Sequence, residues 1–123
     1  MIKKLLFLAL LFSTMVNAQT VSIPDPAFKA KLLEANTSNI IAYNEAGNAI
    51  KIDANNDGEI QNSEALAVYR LRVWNASIMN LTGISSFTNL KNLDCTNNIL
   101  TNLDVSSLTN LTNLNCSGNL LLY

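Results

Sequence analysis

One run of oxygen-bearing side chains has the spacing of a metal-binding loop. From position 53 the chain reads Asp-Ala-Asn-Asn-Asp-Gly-Glu-Ile-Gln-Asn-Ser-Glu, which satisfies the pattern D-x-N-x-D-G, five residues, then E. Hard oxygens on alternate residues, a glycine at the sharp turn and a closing carboxylate that can give both oxygens suit Ca²⁺. The predicted ligands are Asp53, Asn55, Asp57, Glu59 through its carbonyl, Gln61 through a bridging water, and Glu64.

The alternative interpretation of this loop is a surface turn, rich in Asp and Asn, that binds nothing. We favour Ca²⁺ because every constrained position of the pattern is filled. Extracellular loops of this kind bind Ca²⁺ with dissociation constants of about 10⁻⁴ to 10⁻³ M. The ion is therefore expected to be structural rather than a signal.

Short elements on either side must position this loop. Residues 50–52 alternate in polarity like a strand and are too few for a helix, and a short helix is expected near residues 63–67. Further upstream, Asp25 followed by Pro26 predicts the start of an amphipathic helix. Together these elements predict an N-terminal cap region over residues 19–67.

Composition excludes several kinds of catalysis and binding. The 123 residues contain no histidine and two cysteines, which excludes Ser-His-Asp and Cys-His catalysis and zinc sites that need imidazole or four thiolates. A net charge of -1 argues against a nucleic-acid binder. Asp94 and Asp104 are the acids of the C-terminal region, and only Asp94 is expected on its sheet, so a carboxylate glycosidase is a weak alternative. We expect no enzymatic activity.

A repeat dominates residues 68–123. The segment from Leu90 to Leu100 has the form L-x-x-L-x-C-x-x-N-x-L, and the same form recurs from Leu111 to Leu121. A weaker copy begins earlier in the chain, at Val68, with nearly the same spacing. This regular spacing predicts short parallel strands with their leucines facing inward, the third repeat being cut short at the end of the chain.

The outward residues of these strands are expected to form a polar concave face. Arg72 lies opposite Asp94 in this alignment, which predicts a cross-strand ion pair. Trp74 is either an aromatic anchor for a ligand or is covered by the N-terminal cap. The predicted surface consists of Arg70, Arg72, Trp74, Asn92, Asp94, Thr96, Asn113, Asn115 and Ser117.

Asparagine and cysteine recur at fixed places in the repeat. Asn98 and Asn119 fall where the chain leaves each strand, so their carboxamides can bond to backbone groups that no strand reaches. The chain has 19 asparagines, and this asparagine ladder explains part of that number. Cys95 and Cys116 are predicted as stacked buried thiols, with a disulfide as the alternative.

The start of the chain, at positions 1–18, has the features of a Sec-type signal peptide. Lys3 and Lys4 precede an apolar run over residues 5–12, and Val-Asn-Ala at 16–18 offers a cleavage site before Gln19. The apolar run is shorter than the roughly 20 residues of a membrane-spanning helix. We therefore expect bacterial export, with the mature chain secreted or at the cell surface.

With these motifs the chain resembles secreted leucine-rich repeat proteins of the Bacteroidetes type. The resemblance rests on the start I-P-D-x-x-F-K-x-x-L over residues 23–32, the calcium-loop segment, and the Asn-rich repeats. It implies an α/β repeat solenoid with a helical cap, and a binding or scaffold module for a protein or glycan. The alternative is an N-terminal accessory fragment of a larger secreted adhesin or enzyme. The last strand is expected to be an open edge able to pair with a second copy.

Overall fold

The computed structural model describes residues 19–122, so the predicted signal peptide lies outside the described residues. Helix α1 covers Pro26–Glu34, strand β1 covers Ala42–Tyr43, and helix α2 covers Asn62–Leu66. The remaining strands are β2 (Arg70–Arg72), β3 (Asn92–Asp94) and β4 (Asn113–Asn115), and a 3-10 helix covers Ile84–Ser86 between β2 and β3. Among residues 19–122, no helix is both long and apolar enough to cross a membrane.

The strands form one sheet in the order β1-β2-β3-β4. Strands β2, β3 and β4 are parallel, and Leu71 pairs with Leu93, which in turn pairs with Leu114. These partners occupy equivalent positions of successive repeats, as the sequence spacing predicts. Strand β1, from the cap region, adds an antiparallel neighbour to β2.

Helix α1 begins where the sequence predicts. Asp25 is its N-cap, and one carboxylate oxygen of Asp25 accepts hydrogen bonds from the backbone of Ala27 and Phe28 at 2.9 and 3.0 Å. The other carboxylate oxygen accepts the backbone N–H groups of Met79 and Asn80, at 2.8 and 3.0 Å. This single side chain therefore joins the cap helix to the first repeat.

A continuous apolar core runs from the cap helix to the repeats. Phe28 and Leu32 of α1 are fully buried, as are Leu71, Val73 and Leu90 in the repeat region. The core thins toward the last strand, where the Leu114 side chain is 41% exposed, against 2% for its partner Leu93. The leucine positions of the repeat are therefore inward, and the third copy is the least covered.

Each of the three parallel strands is followed, three residues later, by a residue in the left-handed backbone region. Asn75, Asn97 and Gly118 occupy this place in the three repeats, with φ of 53°, 56° and 67°. Asparagine and glycine tolerate this conformation better than other residues. The need for a left-handed residue after each strand therefore accounts for two further asparagines, Asn75 and Asn97.

The predicted asparagine ladder is present. The Asn98 carboxamide accepts from the backbone of Ala76 and Ile78 and donates to the carbonyls of Val73 and Cys95, at 2.8 to 3.1 Å. One repeat later, Asn119 donates to the carbonyl of Cys95 at 2.9 Å. These side chains join each repeat to the one before it.

The prediction of a strand at residues 50–52 is wrong. This segment has no strand in the structure, and its contact with β1 is limited to a bond from the Ile50 N–H to the Ala42 carbonyl at 3.0 Å and an isolated bridge between Tyr43 and Ala49. The chain must turn at once into the loop that begins at Asp53, so no ladder can extend. Helix α2 lies within one residue of the expected short helix.

Candidate functional site

The outward face of the sheet carries two aligned rows of polar side chains. Arg70, Asn92 and Asn113 are register partners across the three parallel strands. Arg72, Asp94 and Asn115 form the second row. Both rows line a groove of about 590 Å³, and the alignment agrees with the one expected from the repeat.

The predicted ion pair between Arg72 and Asp94 does not form. One carboxylate oxygen of Asp94 accepts both the backbone N–H and the hydroxyl of Thr96. Arg72 instead lies against the Tyr43 ring, with 5.9 Å between the guanidinium carbon and the ring centroid. The local turn after β3 thus uses one oxygen of the carboxylate that the arginine was expected to meet.

The third predicted row is less open to a ligand. Trp74 is half-buried, and the ammonium of Lys31, from helix α1, lies 5.5 Å from its ring centroid. The hydroxyl of Ser117 donates to the Asn115 side chain at 2.9 Å. The cap therefore covers part of Trp74, as the alternative interpretation anticipates, and the hydroxyl of Ser117, like that of Thr96, bonds within its own turn.

Three groups at or beside the groove were not predicted from the sequence. Tyr43 lies beside the groove because β1 pairs with β2, which places Tyr43 opposite Arg70. Thr112 lines the same groove, and Lys91 lines an adjoining cavity of about 210 Å³ together with Tyr43 and Arg70. Lys91 and Thr112 directly precede the first residues of β3 and β4, so the repeat pattern could have predicted their positions. Tyr43 belongs to a two-residue strand, which is too short to produce a periodic pattern in the sequence.

The loop at residues 53–64 is closed by hydrogen bonds to its carboxylates. Asp53 is buried and accepts the backbone N–H groups of Asp57 and Gly58, at 3.2 and 3.0 Å. Glu64 accepts the N–H of Ala54 at 2.7 Å through one oxygen and that of Gln61 at 3.0 Å through the other. Within residues 19–122, three or more His, Cys, Asp or Glu side chains are nowhere grouped closely enough to hold a metal ion.

Two features of the loop bear on cation binding. The backbone N–H of Glu59 lowers the pKa of Asp57 below its ordinary value, so Asp57 is ionised at neutral pH. The side-chain oxygen of Gln61 is buried without a hydrogen-bond partner, while its nitrogen lies 2.5 Å from Asp57. An unpartnered buried oxygen beside an ionised carboxylate fits the oxygen chemistry that Ca²⁺ requires.

The loop is also tied to the cap helix and to the segment that precedes it. Lys29 of α1 forms an ion pair with the Glu59 side chain at 2.7 Å. The Val21 N–H donates to the Ile60 carbonyl at 2.7 Å, and the Asn62 N–H donates to Gln19. A change of loop conformation would therefore be transmitted to α1 and to residues 19–21.

Both cysteines are free thiols at equivalent positions after β3 and β4. Cys95 is buried, and its thiol lies 3.5 Å from the Asn115 carbonyl, to which it donates. Burial, with a smaller contribution from Cys116, raises the pKa of Cys95 to about 12. Cys95 is therefore a protonated, apolar core group at neutral pH rather than a nucleophile.

No protein-family model matches the sequence, and no curated protein matches it either. Solved structures do match. Internalin C2 from Listeria monocytogenes is 21% identical with a TM-score of 0.56, over 84% of this chain and 40% of that chain. The functional domain of InlJ from the same organism, which includes a cysteine ladder, is 26% identical with a TM-score of 0.52, over 86% of this chain and 25% of that chain.

A third match is to the CBM51-2 and INT domains of ZmpB from Clostridium perfringens, which are 19% identical with a TM-score of 0.57, over 80% of this chain and 17% of that chain. Internalins are leucine-rich repeat proteins, so the chain has a leucine-rich-repeat-like fold. It spans 40% or less of the length of these matched structures.

Proposed function

We propose that this chain is an exported, non-catalytic binding module whose polar sheet face recognises a protein or glycan. In this proposal the repeats form a small solenoid, and the parallel strands present that face. The observation that carries the proposal is the alignment of Arg70, Asn92 and Asn113, with the Arg72 row beside it, along one groove. Repeat proteins commonly bind their partners on such surfaces.

The hydrogen-bonding capacity of this face supports the proposal. The side chains of Arg70, Asn92 and Asn113 form no hydrogen bond with another residue of the described chain. The intervening residues, Leu71 and Leu93, are buried on the opposite side of the sheet. The face therefore offers guanidinium and carboxamide groups to a ligand while the leucines hold their spacing.

The proposal is tested by screening the purified chain against glycan and peptide arrays. The wild type is compared with the double variant Asn92→Ala, Asn113→Ala, and with Asn102→Ala, which changes an exposed asparagine outside the face. We expect array ligands that bind the wild type and the Asn102 variant and lose affinity for the double variant. Ligands that bind all three proteins equally, or no ligand on either array, would contradict the proposal.

A second candidate is that the chain is an accessory part of a larger secreted adhesin or enzyme. The matched structures support it, since the chain spans between 17% and 40% of their length. An immunoblot of producing cells with an antibody against this chain measures the size of the native product. A band well above 13.4 kDa supports this candidate, and a band at or below that mass contradicts it.

We also propose that the loop from Asp53 to Glu64 binds Ca²⁺ as a structural ion. The complete ligand pattern, the ionised Asp57 and the unpartnered oxygen of Gln61 support this site. Glu59 would contribute its carbonyl, which leaves its side chain free for the ion pair with Lys29. The bound ion would hold the loop, and through it the start of the cap helix.

Thermal unfolding measures this site directly. With a dissociation constant of about 10⁻⁴ to 10⁻³ M, Ca²⁺ at about 10 mM adds roughly 1.4 to 2.7 kcal/mol to the free energy of unfolding. A domain of this size then gains about 6 °C or more in Tm. Asp53→Ala and Glu64→Ala should abolish the gain, and Asp104→Ala, a carboxylate outside the loop, should keep it. A wild-type Tm that does not respond to Ca²⁺ would overturn the site.

A further inference from the structure

The two arginines of the chain lie side by side on the sheet face. Arg70 and Arg72 are the only arginines in the sequence, and both line the groove. Neither arginine forms an ion pair with any of residues 19–122. The ion pairs in that part of the chain are formed by Lys29 and Lys31. The charge of both guanidinium groups is therefore available to a ligand.

The Tyr43 ring holds these two guanidinium groups in place. Its centroid lies 5.3 Å from the guanidinium carbon of Arg70 and 5.9 Å from that of Arg72. Both distances are within the range of cation–π attraction, which amounts to about 0.5 to 1 kcal/mol at exposed sites. Arginine side chains fixed in this way lose less conformational entropy when they bind.

Charges around the groove favour an anion at the Arg70 row. The partners of Arg70 in that row, Asn92 and Asn113, are neutral. The adjoining cavity is lined by one further cation, Lys91, and by one acidic residue, Glu45. The acidic residue of the groove itself, Asp94, belongs to the Arg72 row. Residues 19–122 contain 6 basic and 9 acidic side chains, because Lys3 and Lys4 lie outside them, so this is a local cationic site on an acidic chain.

We propose that this groove binds an extended acidic peptide segment of a partner protein. Arg70 and Arg72 take carboxylates of that segment, since the planar guanidinium matches a carboxylate with two parallel hydrogen bonds. Asn92 and Asn113 bond to its peptide groups, because a carboxamide both donates and accepts. The inference rests on the proposed function and names the chemical class of its ligand.

An acidic peptide suits this groove better than an anionic glycan. Sugar rings commonly stack on an exposed aromatic face. The aromatic rings that border the two cavities, Tyr43 and Tyr69, each have a cationic group within 6 Å of the ring, Lys91 being the one at Tyr69. Each ring therefore already has a cation against it, and the polar side chains that remain along the groove are guanidinium, carboxylate and carboxamide groups and the Thr112 hydroxyl.

The test uses the full chain and two labelled peptides, one of alternating Gly and Glu and one of alternating Gly and Gln. Fluorescence anisotropy should show binding of the Glu peptide that weakens with added salt. The Gln peptide should bind about ten-fold more weakly or not at all, since a guanidinium–carboxylate contact is lost. Arg70→Ala and Arg72→Ala should each weaken binding of the Glu peptide by about ten-fold. Lys51→Ala, an exposed cation that lines neither cavity, should leave it unchanged.

Tyr43 is tested as a positioning residue by a conservative variant. Tyr43→Phe keeps the ring and should keep the affinity, whereas Tyr43→Leu should lose affinity while its circular dichroism spectrum stays that of the wild type. Equal binding of the Glu and Gln peptides, or wild-type binding by the arginine variants, would overturn the inference. So would binding of heparin oligosaccharides without binding of the Glu peptide. An array ligand that needs Asn92 and Asn113 but neither arginine would overturn this inference alone and leave the proposed function standing.

Discussion

Replacing Asn98 by alanine removes the side-chain hydrogen bonds that join the second repeat to the first. The Asn98 side chain is 5% exposed and lies at the point where the chain turns away from β3. Its oxygen accepts the N–H groups of Ala76 and Ile78, at 3.0 and 3.1 Å. Its nitrogen donates to the carbonyls of Val73 and Cys95, at 2.8 and 3.0 Å. All four partners are backbone groups that the strands do not satisfy.

The cost of this change follows from the groups that it leaves unpaired. An unsatisfied buried polar group costs about 1 to 3 kcal/mol. The N–H groups of Ala76 and Ile78 and the carbonyl of Val73 lose their Asn98 partner, whereas the Cys95 carbonyl keeps its bond from Asn119. Because water can enter the space left by the carboxamide and restore some of these bonds, we expect a loss of about 3 to 5 kcal/mol rather than the full sum. This loss is a large fraction of the stability of a small domain, which is about 5 to 15 kcal/mol.

Urea unfolding followed by circular dichroism measures this loss. Asn119→Ala is the matched comparison, because Asn119 occupies the same place in the next repeat but is only half-buried. We expect Asn98→Ala to lose clearly more stability than Asn119→Ala, and Asn102→Ala, which is exposed, to lose less than about 0.5 kcal/mol. An Asn98→Ala protein within about 1 kcal/mol of the wild type would refute the reasoning, because even one stranded buried group costs that much.

Three further predictions concern stability and reactivity. Burial raises the pKa of Asp25, but backbone N–H donors including that of Asn80 outweigh burial and lower the pKa below its ordinary value. Its contribution to stability is therefore present above about pH 4 and lost as the pH falls through the lowered pKa, and acid titrations of the wild type and Asp25→Ala should converge there. Gly118→Ala should destabilise by about 1 to 2 kcal/mol, because φ is +67° and the added Cβ meets the side chain of Asn97; a Tm equal to the wild type would contradict this. Cys95 should resist iodoacetamide at neutral pH until urea unfolds the chain, because its pKa is about 12, and rapid labelling of the folded protein would contradict the buried thiol.

The repeat region could be predicted closely from its sequence. The regular spacing of the repeats fixes which leucines share a side, and so it also fixes the register that aligns Arg70 with Asn92 and Asn113. The position of Asn98 predicts its backbone bonds, because a carboxamide is needed wherever a strand ends without a ladder. The start of helix α1 follows from Asp25 and Pro26 in the same local way.

The cap contacts could not be predicted, because they join segments without a shared period. Strand β1 has two residues, and its place beside β2 depends on how the whole cap folds onto the core. Tyr43 therefore reaches both arginines with no sequence signal. The absence of an ion pair between Arg72 and Asp94 has the same cause. Arg72 lies against the Tyr43 ring, which comes from the cap, and Asp94 accepts hydrogen bonds from Thr96 in its own turn.

The central claim is that three parallel strands in register place two polar rows on one face of the sheet. Nuclear Overhauser effects between backbone protons of the isotope-labelled chain test it directly. We expect cross-strand signals that link Leu71 to Leu93 and Leu93 to Leu114. Signals that join these strands one residue out of register, or helical signals across the repeats, would contradict it, because the polar rows would then no longer share a face.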